Sequence, residues 1–157
     1  MVMTRFAQSP TAAVLSGVSH EAWLRFAAAL EAQPAGAVTS TGGLGAYEFQ
    51  PRRLVEMKAA TNLCYEGSDG RTQTCDFVAP LTRKLFLADL RLQYKLFVRS
   101  IQMYDRQLTT GELKIPKGAT RAETLAALHV GGRGALKDWA NLFERTRVRC
   151  NAVREIF

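Results

Sequence analysis

Three glycines within four residues, Gly42, Gly43 and Gly45, run into Ala46-Tyr-Glu-Phe-Gln50 and then Pro51. No continuous helix or strand crosses such a stretch. Glycine accepts left-handed backbone at little cost, and proline suits the first turn of a helix, where its missing N–H is not needed. The chain has to turn here, and a helix is predicted to start at Pro51. Backbone this bare also admits a close neighbour, either a ligand or the next helix.

Elements can be placed outward from this turn. Upstream, Ser19 is positioned to cap a helix whose Trp23, Phe26, Ala27 and Leu30 recur at helical spacing and which has to end before Pro34. Glu31 then flanks that stripe at the last turn, where outward-pointing carbonyls oppose an anion and raise its pKa. That is the setting a general acid needs; a plain surface charge is the other reading. Residues 35–50 carry enough apolar positions for a short hairpin. After Pro51, Leu54, Val55 and Met57 are expected to face inward and Arg52, Arg53, Glu56 and Lys58 outward.

Downstream, Pro80 and Thr82 introduce a long helical region with Leu85, Phe86, Leu92, Leu96, Phe97, Ile101 and Tyr104 as its apolar side and a break at Ala88-Asp89. Its apolar side is rich enough for a central helix. Thr120 and Glu123 form a capping box, and Gly131, Gly132 and Gly134 stop that helix just after His129. A final helix is expected through Leu136, Trp139, Leu142 and Phe143, with a basic tail helix beyond. The fold class is therefore mainly α (α+β): a helical bundle around a central helix with a small β-hairpin or irregular segment. The expected organisation is an N-terminal arm over 1–18, one domain over 19–145 and the tail helix over 146–157.

The chain has 157 residues, 47% of them apolar, and a net charge of +7. This is enough for one real core, and the charge points to a polyanionic partner: nucleic acid, an acidic membrane surface or the bacterial cell wall. Nucleic acid rests on charge only, because the aromatics fall on apolar helical stripes instead of interleaving with basic residues. No run approaches the ~18 apolar residues of a membrane span, and no export signal opens the chain. Cys64, Cys75, Cys150, His20 and His129 show no metal-ligand spacing, so no metal or other cofactor is expected. Ten residues with Gly67 and Gly70 separate Cys64 from Cys75, which lets the segment fold back and bring the two within bonding distance, leaving Cys150 unpaired. Free thiols are the equal alternative.

Three motifs in order resemble the lysozyme-like superfamily, within it the phage murein hydrolases and soluble-lytic-transglycosylase-like domains. They are a helix ending at Glu31, the loop Gly45-Ala-Tyr-Glu-Phe49, and Ala127-Leu-His-Val-Gly-Gly132. Phe86-Leu-Ala-Asp-Leu-Arg-Leu-Gln93 is similar to the helix start that joins the two halves of phage-type members, and the likeness covers residues 20–140. Three positions depart from the pattern: Ala32 replaces the usual serine, Glu48 the usual glutamine, and Leu128-His129 a Tyr-Asn pair.

The resemblance implies cleavage of the MurNAc-GlcNAc β-1,4 bond of peptidoglycan glycan strands. Glu31 would be the acid and Glu48 a second carboxylate in a hydrolytic version; a transglycosylase would close a 1,6-anhydro ring and need no second carboxylate. Gly45, Tyr47 and His129 would contact substrate. If the loop is locally extended, Tyr47 faces the cleft and Phe49 the core; for His129 a packed helix-end role is the equal alternative. The setting implied is a phage-borne endolysin or tail lysozyme, in the virion or at the host periplasm and wall, with tail or baseplate proteins as further partners. The competing reading is a non-catalytic tail or baseplate subunit that keeps the fold.

Overall fold

The computed structural model describes residues 13–157 apart from Asp69 and Arg71. Most of the expected arm, 1–18, lies outside the described residues. The fold is mainly helical with one two-stranded antiparallel sheet, an α+β arrangement. Two compact units divide the chain: Met1–Leu30 with Ile101–Phe157, and Glu31–Ser100.

In the first unit, α1 (His20–Leu30) begins where Ser19 Oγ accepts the N–H of Ala22 at 3.1 Å. It buries Trp23, Phe26, Ala27 and Leu30, the stripe its spacing predicts, and Phe26 packs on Phe157 with ring centroids 5.3 Å apart. Helix α5 (Arg121–Gly131) starts with the expected capping box and stops at Gly132, whose φ of 76° favours glycine. Nearly all of α5 is buried, including Leu125, Ala126, Ala127 and Leu128. Burial of a leucine-sized side chain contributes about 1.5–3 kcal/mol, so this helix is a main source of the unit's stability.

The region after α5 differs from expectation. No single helix runs through Leu136–Phe143; α6 (Arg133–Lys137) gives way to a 3₁₀ turn at Trp139–Asn141, and Phe143 is 77% exposed. The backbone at Asp138 (φ −127°, ψ 54°) leaves helical geometry and ends the run. Helix α7 (Glu144–Val153) then holds most of the residues expected as a basic tail. Thr146, Cys150 and Val153 are its buried face, and Cys150 Sγ donates to the Glu123 carbonyl at 3.4 Å, so α7 is fastened to α5.

In the second unit, α2 (Pro51–Glu56) opens on its proline. Leu54 and Met57 are buried as expected, but Arg53, expected outside, is 5% exposed and ion-pairs with Glu56 at 3.0 Å. Its partner one turn on meets the charge, which is what burial of a guanidinium requires. The hairpin is β1 (Ala60–Glu66) with β2 (Thr72–Phe77), not residues 35–50, where only the bridges Val38↔Leu44 and Leu44↔Phe49 form. Two runs rich in Thr, Tyr, Cys and Phe flank Gly67-Ser-Asp-Gly70, and that is the stronger hairpin signal.

The same hairpin corrects the disulfide expectation. All three cysteines are free. Cys64 stands opposite Thr74, so Cys75 is one residue out of register and, by strand alternation, projects from the other face. A register shift between Thr61 and Cys64, with Asn62 at φ 54°, absorbs the extra residue.

Helix α3 (Arg83–Ala88) starts on Thr82, whose hydroxyl accepts from Leu85 N, and breaks at Asp89 as expected. Leu85, expected inside, is 55% exposed, while Phe86 next to it is fully buried. In so short a helix one turn faces the core, and Phe86 takes that place. Asp89 caps α4 (Leu90–Thr110) through Leu92 N at 3.0 Å. Residues 90–100 of α4 belong to this unit and 101–110 to the other. Among the described residues no helix is long and apolar enough to cross a membrane.

Candidate functional site

The glycine loop closes as a tight turn. Leu44 and Phe49 exchange two backbone hydrogen bonds, each of 2.9 Å, and the four residues between them turn back with Glu48 N donating to Gly45 O at 3.1 Å. Two left-handed residues make this possible: Gly45 at φ 80° and Glu48 at φ 50°. Glycine takes that conformation freely, whereas a glutamate there is uncommon and marks a position over-determined by its surroundings.

One side chain pins the other end of the turn. Gln93, on α4 and fully buried, accepts from Ala46 N at 2.8 Å through Oε1 and donates from Nε2 to Ala35 O at 2.9 Å and Phe86 O at 2.8 Å. A Cβ on Gly45 would fall 2.5 Å from Gln93 Oε1. The glycine is thus required by close approach of a side chain of the protein itself, and Gly45, expected to face substrate, is a seat for Gln93.

Glu31 is the residue after α1 and the first of this unit. The two residues following it, Ala32 and Gln33, donate their N–H groups to Ala46 O at 2.9 and 3.1 Å, and Gln33 Nε2 donates to Glu48 Oε1 at 3.1 Å. The segment carrying Glu31 is therefore stitched to the turn carrying Tyr47 and Glu48. Partial burial holds the Glu31 carboxyl above the usual carboxylate range. The direction is the one expected; its cause is loss of hydration.

Tyr47 does not line an open cleft. It is 2% exposed and stacks on Phe97, with centroids 4.3 Å apart and planes 14° from parallel, and it lies near Tyr94. Phe49 is buried as well, against Phe86. The alternation that would separate the two rings holds for extended chain, and this segment is a turn. Burial first, then the charges of Glu31 and Tyr94, push the Tyr47 phenol far up, so it is a neutral hydroxyl that feels the Glu31 carboxylate.

His129, in α5 of the other unit, is 3% exposed. A side chain buried to this degree has no surface to offer a glycan, and its placement is that of a packed helix-end histidine.

Gln33 and Gln93 are the site residues the expectations left out. Gln93 had a signal: it falls on the same helical face as Phe97, Ser100 and Tyr104, and a polar side chain on a buried face needs fixed partners. Gln33 had none, since a glutamine beside a proline reads as ordinary loop. Among the described residues no group of three His, Cys, Asp or Glu side chains is placed to hold a metal ion. No family model matches the chain, and no curated protein and no solved structure matches it.

Proposed function

We propose that this protein cleaves β-1,4 glycosidic bonds of peptidoglycan on a lysozyme-like fold, with Glu31 as the proton donor. The observation that carries the reading is the state of Glu31: a partly buried carboxyl, with its pKa raised, on a segment tied to the turn that bears a second carboxylate, Glu48. The order of elements supports it too: apolar helix, glutamate, glycine turn, hairpin and long helix. The motif resemblance points to a phage-borne endolysin or tail lysozyme, and a charge of +7 suits an anionic wall.

The chemistry follows from the acid. A carboxyl whose pKa burial raises holds its proton more firmly and can pass it to the glycosidic oxygen as the bond to C1 breaks and positive charge spreads over the sugar ring. Two routes then capture C1. Water attacks, giving its proton to a carboxylate such as Glu48, and leaves a reducing end. In the other, the sugar's own 6-hydroxyl attacks, its proton returns to Glu31, and a 1,6-anhydro end results. Gln33 fixes one oxygen of Glu48 in either case.

Digestion of purified sacculi followed by mass analysis of the released muropeptides tests the reading. Wild type should release products and Glu31→Gln should not. Glu48→Gln separates the routes: it stays active with 1,6-anhydro products if the sugar attacks itself, and is dead if water does. A wild type that is inert on several wall chemotypes would sink the proposal in favour of a non-catalytic tail or baseplate subunit.

A further inference from the structure

A pocket of about 190 Å³ lies in the Glu31–Ser100 unit, and none of Glu31, Tyr47 and Glu48 lines it. The loop over 38–44 forms one wall and β2 another. A Cβ on Gly42 would fall 2.5 Å from Gln73 O, so the loop lies directly on the strand and leaves no room for a further strand beside it. The space left between them is the size of a small molecule. Apolar cavities of about 150 Å³ admit a benzene ring, so this volume suits a six-carbon body with little to spare.

Leu44, Pro51 and Phe77 supply apolar lining, with the free thiol of Cys75 beside them. Two of the wall's polar side chains are already engaged within the protein: Thr39 Oγ1 accepts the Gly43 N–H at 2.8 Å, and Gln73 Oε1 accepts the Arg52 N–H at 3.0 Å. Among the described lining residues Arg83 carries the only charge, and none of the ion pairs engages it. Burial and Asp76 raise the pKa of the Cys75 thiol while Arg83 lowers it, which puts the guanidinium charge within reach of the Cys75 end of the pocket. Asp76 itself projects from the other face of β2 by strand alternation, and Asn62 Nδ2 donates to its carboxylate at 3.0 Å.

We infer that this pocket binds a small apolar carboxylic acid. Its apolar body, about the size of a benzene ring, rests against Leu44, Pro51 and Phe77, and its carboxylate meets the Arg83 guanidinium, whose planar fork matches the two oxygens. One cation balances a monoanion, whereas a phosphate monoester near neutral pH carries almost two charges and would leave part of its charge unmatched. Burial of the apolar body supplies the attraction and Arg83 the selection. Leu44 also exchanges two backbone hydrogen bonds with Phe49, so a ligand seated on it braces the turn that carries Tyr47 and Glu48. Binding here does not depend on glycan cleavage.

The ¹⁵N-labelled full chain is titrated with phenylacetate and, separately, with 2-phenylethanol, acetate and inorganic phosphate. Saturable shifts centred on Leu44 and the Thr72–Phe77 amides are expected with phenylacetate. Affinity should fall roughly three- to tenfold with 2-phenylethanol, which keeps the ring and loses the charge. Acetate and phosphate, which lack the ring, should bind more weakly still or not at all. Arg83→Ala, an exposed position whose own spectrum reports retained folding, should bind phenylacetate no better than 2-phenylethanol, and Arg83→Glu should bind only the alcohol. Equal affinity for acid and alcohol in wild type, an acid preference that survives in Arg83→Ala, acetate or phosphate binding as tightly as phenylacetate, shifts centred elsewhere, or no shifts at millimolar phenylacetate would each overturn the inference. A wild type that binds phenylacetate but cuts no sacculi would instead overturn the glycosidase reading alone.

Discussion

Glu123 and Glu31 stand beside opposite ends of helices. At the start of α5, Glu123 accepts the Thr120 N–H at 2.9 Å, lies 3.8 Å from Arg154, and sits where the helix's own N–H groups favour negative charge. Glu31 follows the last residue of α1, where carbonyls point outward, and the hydrogen bonds that fix its segment are made by Ala32 and Gln33 instead of by its carboxyl. One carboxylate is tied into a helix cap and holds structure; burial biases the other toward the neutral acid. On the proposed reading, the role of proton donor falls to the carboxyl that burial biases toward its neutral form.

The largest expected effect tests this contrast directly. Glu31→Gln removes the proton but keeps the shape, and a well-placed general acid contributes about 10²–10⁴-fold, or roughly 3–5 kcal/mol of barrier. Muropeptide release should fall by that factor with an unchanged circular dichroism spectrum, whereas Glu123→Gln should leave the rate per folded molecule alone. Equal losses in the two variants would erase the distinction.

Next in size is Gln93→Ala, which leaves Ala46 N and Ala35 O without their partner, while Phe86 O keeps the Asp89 N–H at 3.2 Å. Buried groups stranded in this way cost about 1–3 kcal/mol each, partly relieved by water, so urea denaturation should show a loss of roughly 2–4 kcal/mol. Activity should fall too, because Ala46 O is what holds the segment of Glu31. A Gln93→Ala variant of wild-type stability would mean the turn is set by glycines alone.

Glu123→Ala should cost about 1 kcal/mol, the usual value of a cap, read as a lower midpoint in thermal unfolding with catalytic rate intact. A rate loss there would bring Glu123 into the chemistry.

The smallest effect is a pH dependence of stability. The folded-state pKa of Glu31 is raised, so the folded chain resists its ionisation. That contributes no penalty below the ordinary glutamate pKa of 4.5 and a growing one as pH rises through the folded value. Glu31→Gln should therefore melt slightly above wild type at neutral pH, with the difference fading below about pH 4.5. A difference of the opposite sign would mean the anion is stabilised after all.

Much of the helical layout was legible because its signals are local. The stripe of Trp23, Phe26, Ala27 and Leu30, the Thr120-Glu123 box, Thr82 and the Asp89 break each depend on residues within one or two turns. Leu85 and Phe143 are exposed despite their apolar spacing because periodicity tells which residues share a face and not whether anything covers it. The hairpin lies at Ala60–Phe77 and not at 35–50 because the β-branched and aromatic runs on either side of Gly67–Gly70 carry the strand signal, which is independent of the cysteine spacing.

At the site, composition by itself determined that a turn falls at Gly42–Gly45, that a helix starts at Pro51 and that Glu31 follows an apolar helix, since glycine, proline and apolar spacing restrict the backbone wherever they occur. Only the tertiary structure decided that Gly45 makes room for Gln93, that Tyr47 is buried against Phe97 and that Gln33 reaches Glu48. These are contacts across 15 to 50 residues of chain, and their geometry is set by how the turn seats on α4, not by any residue's preference for its neighbours.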